Sequence, residues 1–156
     1  MDQDHPKIIV LPPIAFFAAV LLTFALDRWL ALGALNDIPR LPLVVVGGAF
    51  MAVALLIAVT GILAFKRAET NVNPYQPALN IVRDGPYRFT RNPMYLGMIM
   101  FVLGFGIAMA TLWGLILACL LWALLHWGVV LPEEKYLTDK FGDDYRALLS
   151  STRRWL

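Results

Sequence analysis

The sequence predicts an all-α, polytopic membrane protein with four transmembrane helices, the third and fourth paired as a hairpin, and a C-terminal cytoplasmic amphipathic helix. Three observations predict it. Of 156 residues, 60% are hydrophobic and only 15% charged, whereas soluble globular chains run at about 45–50% and about 25%. Three stretches, residues 8–26, 41–65 and 95–132, contain no Asp, Glu, Lys or Arg, and a crossing helix needs roughly 20 apolar residues for about 30 Å of hydrocarbon. Eleven of the thirteen lysines and arginines fall on one side of the spans so defined, leaving only Arg28 and Arg40 on the other. Under the positive-inside rule, both termini and residues 66–94 then face the cytoplasm, and the short loops and compact size fit a prokaryotic plasma membrane.

The elements follow in order within one membrane domain, residues 1–156. Residues 1–65 hold the first two spans, from Ile8 to Leu26 and from Leu41 to Phe65. A single upstream lysine and the lack of an A-x-A-like site argue against a cleaved signal peptide, so the first stretch is expected to be retained. Residues 66–94 form a cytoplasmic loop. The uncharged run from Tyr95 to Pro132 is 38 residues long, nearly two crossings, and should turn near Ala110–Gly114, where Thr111 can cap and Trp113 suits the interface. Gly97, Gly104 and Ala108 mark a small-residue face for close helix contact. Residues 133–156 are the C-terminal segment. Pro132, Glu133 and Glu134 read as a helix start, Leu137, Phe141, Tyr145, Leu148 and Leu149 recur at helical spacing, and Gly142 predicts a bend.

The net charge of +2, without a run of like charges, excludes a nucleic-acid partner. The lone Cys119 excludes an internal disulfide, and no metal site is expected. Chemistry must therefore lie where the two polar segments meet on the same membrane face. The first, RDGPYRFTRNPMYLG (83–97), is stiffened by Pro86 and Pro93, each of which removes a backbone donor and restricts the residue before it. Arg88 and Arg91 offer guanidinium forks for a carboxylate or phosphate, and Tyr87 and Tyr95 offer aromatic faces to a cation or a ring.

GPYRFTRNPMYLG, followed one hairpin later by PEEKYLTDKFGDDYRALL, resembles the integral-membrane methyltransferases that include isoprenylcysteine carboxyl methyltransferase and the phospholipid N-methyltransferases. The shared pieces are a GPYR turn, an R-(H/N)-P-x-Y-x-G entry to a span, an EE pair after the next span and a C-terminal F-G-x-x-Y, together covering about residues 75–155. The resemblance implies methyl transfer from S-adenosylmethionine to a lipophilic or amphiphilic acceptor that partitions into, or is reached from, the lipid bilayer. It carries the cofactor-binding role onto Tyr87, Arg91, Asn92, Pro93, Tyr95, Gly97, Glu133 and Glu134. Within that set Arg91 suits the cofactor carboxylate, Glu133 or Glu134 its ammonium, and the tyrosines its adenosyl or sulfonium region. Asn92 replaces the histidine usual in carboxyl methyltransferases, which tilts the acceptor toward a phospholipid amine. No G-x-G-x-x-G follows a strand, which excludes a soluble dinucleotide-type domain.

Catalytic roles are expected at three positions. An amine acceptor must lose a proton, which Glu134 could assist; Asn92 can donate and accept hydrogen bonds; and His126, seven residues before Glu133, should share its helix face. Other readings are a nicotinamide-dependent reductase of the same broad superfamily, a non-catalytic scaffold, and a transporter, which should bury more charge at mid-membrane than His126 alone.

Overall fold

A computed structural model describes residues 4–30, 32, 35 and 37–156. Six α-helices occur among them: α1 Pro12–Trp29, α2 Arg40–Arg67, α3 Pro93–Met109, α4 Trp113–Leu125, α5 Leu131–Phe141 and α6 Asp143–Ser151. A 3₁₀ turn spans Gly85–Arg88 and a π-turn spans His126–Val130. No strand occurs among the described residues. Prolines open α1 and α3, where a missing N–H costs nothing. Three helical runs are long and apolar enough to cross a membrane, namely α1, α2 and the continuous run Trp113–Phe141, while α3 is a shorter apolar helix of 17 residues. Their outer faces present Phe17, Leu21, Leu55, Leu56 and Leu120, as lipid rather than water requires. The protein is an integral membrane protein.

The small-residue face predicted on α3 meets α2 directly. A Cβ on Gly104 would lie 2.7 Å from Phe50 Cβ and 2.8 Å from the Gly47 carbonyl, and one on Gly97 would lie 2.9 Å from the Ala54 carbonyl. α4 packs on α1 and α3 around Ala15, Ala19, Val102, Leu121 and Leu125. The predicted turn forms where expected. Ala110 takes a left-handed φ of 62°, and the Ala110 and Thr111 N–H groups bond the Ile107 and Gly106 carbonyls at 2.9 and 3.0 Å, so orphan carbonyls of the last turn are capped. Trp113 Nε1 donates to the Leu30 carbonyl at 2.7 Å and Arg40 Nη1 to that of Met109 at 3.0 Å. This turn therefore lies at the same end as the α1–α2 connection, which was expected over 27–40 and lies partly outside the described residues.

One expectation needs correction. Pro132 and Glu133 do not begin a new helix, because α4 continues through the π-turn into α5 without a break. Leu131 N–H bonds the His126 carbonyl, five residues back, and proline at 132 has no N–H to offer Gly128. The freed Gly128 carbonyl instead accepts from Ile9 N–H at 2.9 Å, which ties the segment before α1 to this helix. A π-turn adds a residue to the turn and so rotates everything after it by about 100°. The uncharged portion of the run, Trp113–Pro132, is about 30 Å long at 1.5 Å per residue, long enough to cross; Glu133 and Glu134 stand beyond it. Gly142, at φ 55°, makes the predicted bend, and α6 turns back with Tyr145 and Leu148 buried.

Candidate functional site

A cavity lies at the bundle end opposite the α3–α4 turn, where the 66–94 segment, α5 and α6 converge. Tyr87, Arg91, Asn92, Tyr95, Glu133 and Glu134 all line it. Gly85, at φ 61°, starts the 3₁₀ turn that swings Tyr87 inward onto Phe65, ring centroids 5.4 Å apart. Arg88, in contrast, points to the surface, where it meets Asp84 at 3.4 Å. Pro93 and Gly97 are not on the cavity wall; they set the start and the close packing of α3, which carries Tyr95 to it.

The two adjacent glutamates occupy opposite electrostatic environments. Glu134 Oε1 accepts from Arg91 Nη2 at 2.8 Å and Nε at 3.2 Å, while Arg154 Nη2 reaches Oε2 at 2.7 Å and Arg154 Nε reaches Oε1 at 2.9 Å. Burial pulls the Glu134 carboxyl up, but the hydrogen bonds from Arg154 and Arg91 outweigh it and hold the group below its ordinary value. Glu133 has one protein partner, the Tyr95 hydroxyl, which donates to Oε1 at 2.7 Å. No cation lies within ion-pair distance of it among the described residues. Burial pushes Glu133 up to about 7, and the charge of Glu134 adds to the effect. Its other oxygen, Oε2, has no protein partner yet is not sealed in, so it faces the cavity.

Arg91 is largely satisfied by the protein. Besides Glu134, its Nη1 donates to the carbonyls of Leu149 at 3.0 Å and of Thr152. Asn92 Nδ2 donates to the Arg154 carbonyl at 3.0 Å. His126 is not brought to the cavity. Its ring stacks on Trp122 at 5.3 Å and its Nδ1 accepts from Trp155 Nε1 at 3.2 Å; the π-turn has rotated it away from the Glu133 face.

Several lining residues escaped the motif reading. The segment from Thr70 to Val82 roofs the cavity and is held by its own polar side chains, with Thr70 Oγ1 accepting from the N–H groups of Leu79 and Asn80 at 2.9 and 3.2 Å. Tyr136 accepts from Ala78 N–H at 3.2 Å and donates to Asp4 Oδ1 at 2.9 Å, joining roof, α5 and the N-terminal segment. In the sequence, residues 66–94 read only as a loop, and nothing in 71–80 pointed inward. Tyr145, whose phenol burial pushes up, was placed on the helix face and in the F-G-x-x-Y piece but given no role in the site.

The model of one protein family, described as phospholipid methyltransferase, matches residues 42–144. The chain belongs to this family. The match runs from the start of α2 into α6 and includes every cavity residue named above from Tyr87 to Glu134. It leaves out α1 and the last twelve residues. No curated protein matches the chain.

Proposed function

We propose that this protein transfers a methyl group from S-adenosylmethionine to an amphiphilic acceptor at the cytoplasmic face of a prokaryotic plasma membrane, with all four apolar helices crossing. The family membership supports the reaction class. The lysine and arginine bias supports the face, since the cavity lies at the end that carries eleven of the thirteen. The observation that carries the reading is the enclosed, unpaired Glu133 carboxyl among Tyr87, Tyr95, Tyr136 and Tyr145, an acidic and aromatic setting that attracts a cation.

The donor set fits the cofactor. Glu133 suits its ammonium or sulfonium, the tyrosine rings its adenosyl group, and the amide side chains of Asn73 and Gln76 its carboxylate, because Arg91 is mostly taken up by Glu134 and backbone carbonyls. When bound, S-adenosylmethionine supplies a methyl on a sulfonium, transferred by direct displacement with the electron pair of the breaking C–S bond passing to sulfur. The protein's part is orientation, which can supply about 7–11 kcal/mol of the barrier. Glu133 is also better placed than Glu134 to take a proton: it lies near neutrality, whereas two guanidinium groups hold Glu134 ionised and weakly basic. A carboxylate that can take a proton, beside no cation free of a protein partner among the described lining residues, favours an amine acceptor over a carboxylate one.

Calorimetric titration of the detergent-solubilised protein with S-adenosylmethionine, S-adenosylhomocysteine and NADPH tests the reading. Saturable binding of the first two is expected, followed by transfer of labelled methyl to an amine-headgroup lipid in preference to a prenylcysteine-like carboxylate. Binding of NADPH alone would replace the reading with a reductase.

A further inference from the structure

The last turn of α6 leads into an extended tail, with Thr152 at φ −127° and ψ 137°, and this tail is bound to the start of α3. Thr90 and Arg153 form a parallel bridge. Arg91 N–H donates to the Arg153 carbonyl at 2.9 Å, and Thr90 Oγ1 and Asn92 Nδ2 both donate to that of Arg154, at 3.1 and 3.0 Å. The Thr152 carbonyl takes Arg91 Nη1. These groups sit just before the proline that opens α3, where no helical carbonyl is available to them. Beyond them, Trp155 Nε1 reaches His126 Nδ1 at 3.2 Å, pinning the tail to the far end of α4.

The side chain of Arg154 completes the arrangement. It grips Glu134 in fork fashion across both oxygens while Arg91 approaches Oε1. Bidentate charge-assisted pairs of this kind fix direction as well as energy. Without the tail, Arg91 would lose two backbone carbonyl contacts, Arg153 at its N–H and Thr152 at Nη1, and Glu134 would lose one of its two cations. Both side chains could then turn into the cavity beside Glu133. Arg154 lies ten residues past the end of the family match at 144, so the match assigns it nothing.

We propose that Arg154, with the backbone of Thr152–Arg154, is a positioning element of the methyl-transfer site, acting through Glu134 and Arg91 rather than on the ligand; the proposal rests on the methyl-transfer reading. Two readouts test it. Hydrogen–deuterium exchange over Phe89–Asn92 needs no ligand and compares the full chain with one ending at Ser151. Calorimetry with S-adenosylhomocysteine compares Arg154→Gln with Arg154→Lys in the full chain, with melting points as folding controls. Faster exchange in the shortened chain is expected, together with affinity about tenfold or more weaker for Gln and only partly restored by Lys, which keeps the charge on Glu134 but not the two-point grip. Unchanged exchange in a folded shortened chain overturns the proposal, and so does wild-type affinity in Arg154→Gln. Should the shortened chain fail to fold, the Gln and Lys pair decides alone. If the wild type binds neither S-adenosylmethionine nor its product, the methyl-transfer reading fails, and the exchange result still decides whether the tail holds Arg91.

Discussion

The proton on Glu133 should be visible in cofactor binding. Burial pushes this carboxyl up to about 7, so in the free protein it is largely protonated at pH 6 and largely ionised at pH 8. A cationic group entering beside Oε2 binds better to the ionised form. Its affinity should therefore rise about tenfold between pH 6 and pH 8, about 1.4 kcal/mol, following the ionised fraction, which grows from about 0.1 to about 0.9. Binding at pH 6 should release close to one proton, and binding at pH 8 close to none. Calorimetric titration with S-adenosylmethionine in buffers of different ionisation enthalpy measures that number directly. Glu133→Gln should bind more weakly at pH 8 and lose the pH dependence. An unchanged dependence in Glu133→Gln would refute the reasoning, because another group would then carry the proton. The same shift has a sign for stability. Because the native state holds this proton above the ordinary value of 4.5, the ligand-free protein keeps the stabilisation below that pH and loses it as pH rises through about 7, a change of about 3 kcal/mol.

Glu134→Ala leaves Arg91 without its carboxylate, and its cost should approach the about 3–5 kcal/mol of a broken buried pair, read as a lowered melting point in detergent. Gly104→Val drives a side chain into Phe50 Cβ and the Gly47 carbonyl, at 2.7 and 2.8 Å from an added Cβ, and should cost about 1–3 kcal/mol by the same assay. His126→Ala removes the acceptor of Trp155 rather than a proton carrier. Its methyl-transfer rate should fall less than about tenfold, whereas loss of a general acid or base would cost about 10²–10⁴.

Much of the fold was legible because the bilayer imposes simple demands. Charge-free runs gave the helices, Ala110–Gly114 gave the turn, and Gly97, Gly104 and Ala108 gave the α2–α3 contact. The cavity residues were legible as a motif, and the structure brings Tyr87, Arg91, Asn92, Tyr95, Glu133 and Glu134 together. Their division of labour was not. Arg91 looked like a free fork because its partners, Glu134 and the carbonyls of Leu149 and Thr152, lie 43 or more residues away. His126 was misplaced on the Glu133 face because a seven-residue spacing assumes an unbroken α-helix, and no simple periodicity marks a π-turn. The one available signal was Pro132, which cannot complete the α-helical ladder to Gly128 and so demands some local adjustment.

That adjustment also explains why two neighbouring glutamates end in different states. Successive helical residues point about 100° apart, so the EE pair must always present one carboxylate to each of two directions, and the rotation added by the π-turn chooses which. Glu133 is directed at Tyr95 on α3, where it finds a single hydroxyl; Glu134 is directed at Arg91 and Arg154, where it finds two cations. Two ionised carboxylates side by side in an enclosed cavity would repel each other. Pinning one as a paired anion leaves the other poised to exchange its proton for a positively charged ligand. On this argument the device lies in the helix geometry as much as in the acids: exchanging the two roles would require moving the π-turn, whereas Glu→Gln at either position removes only one.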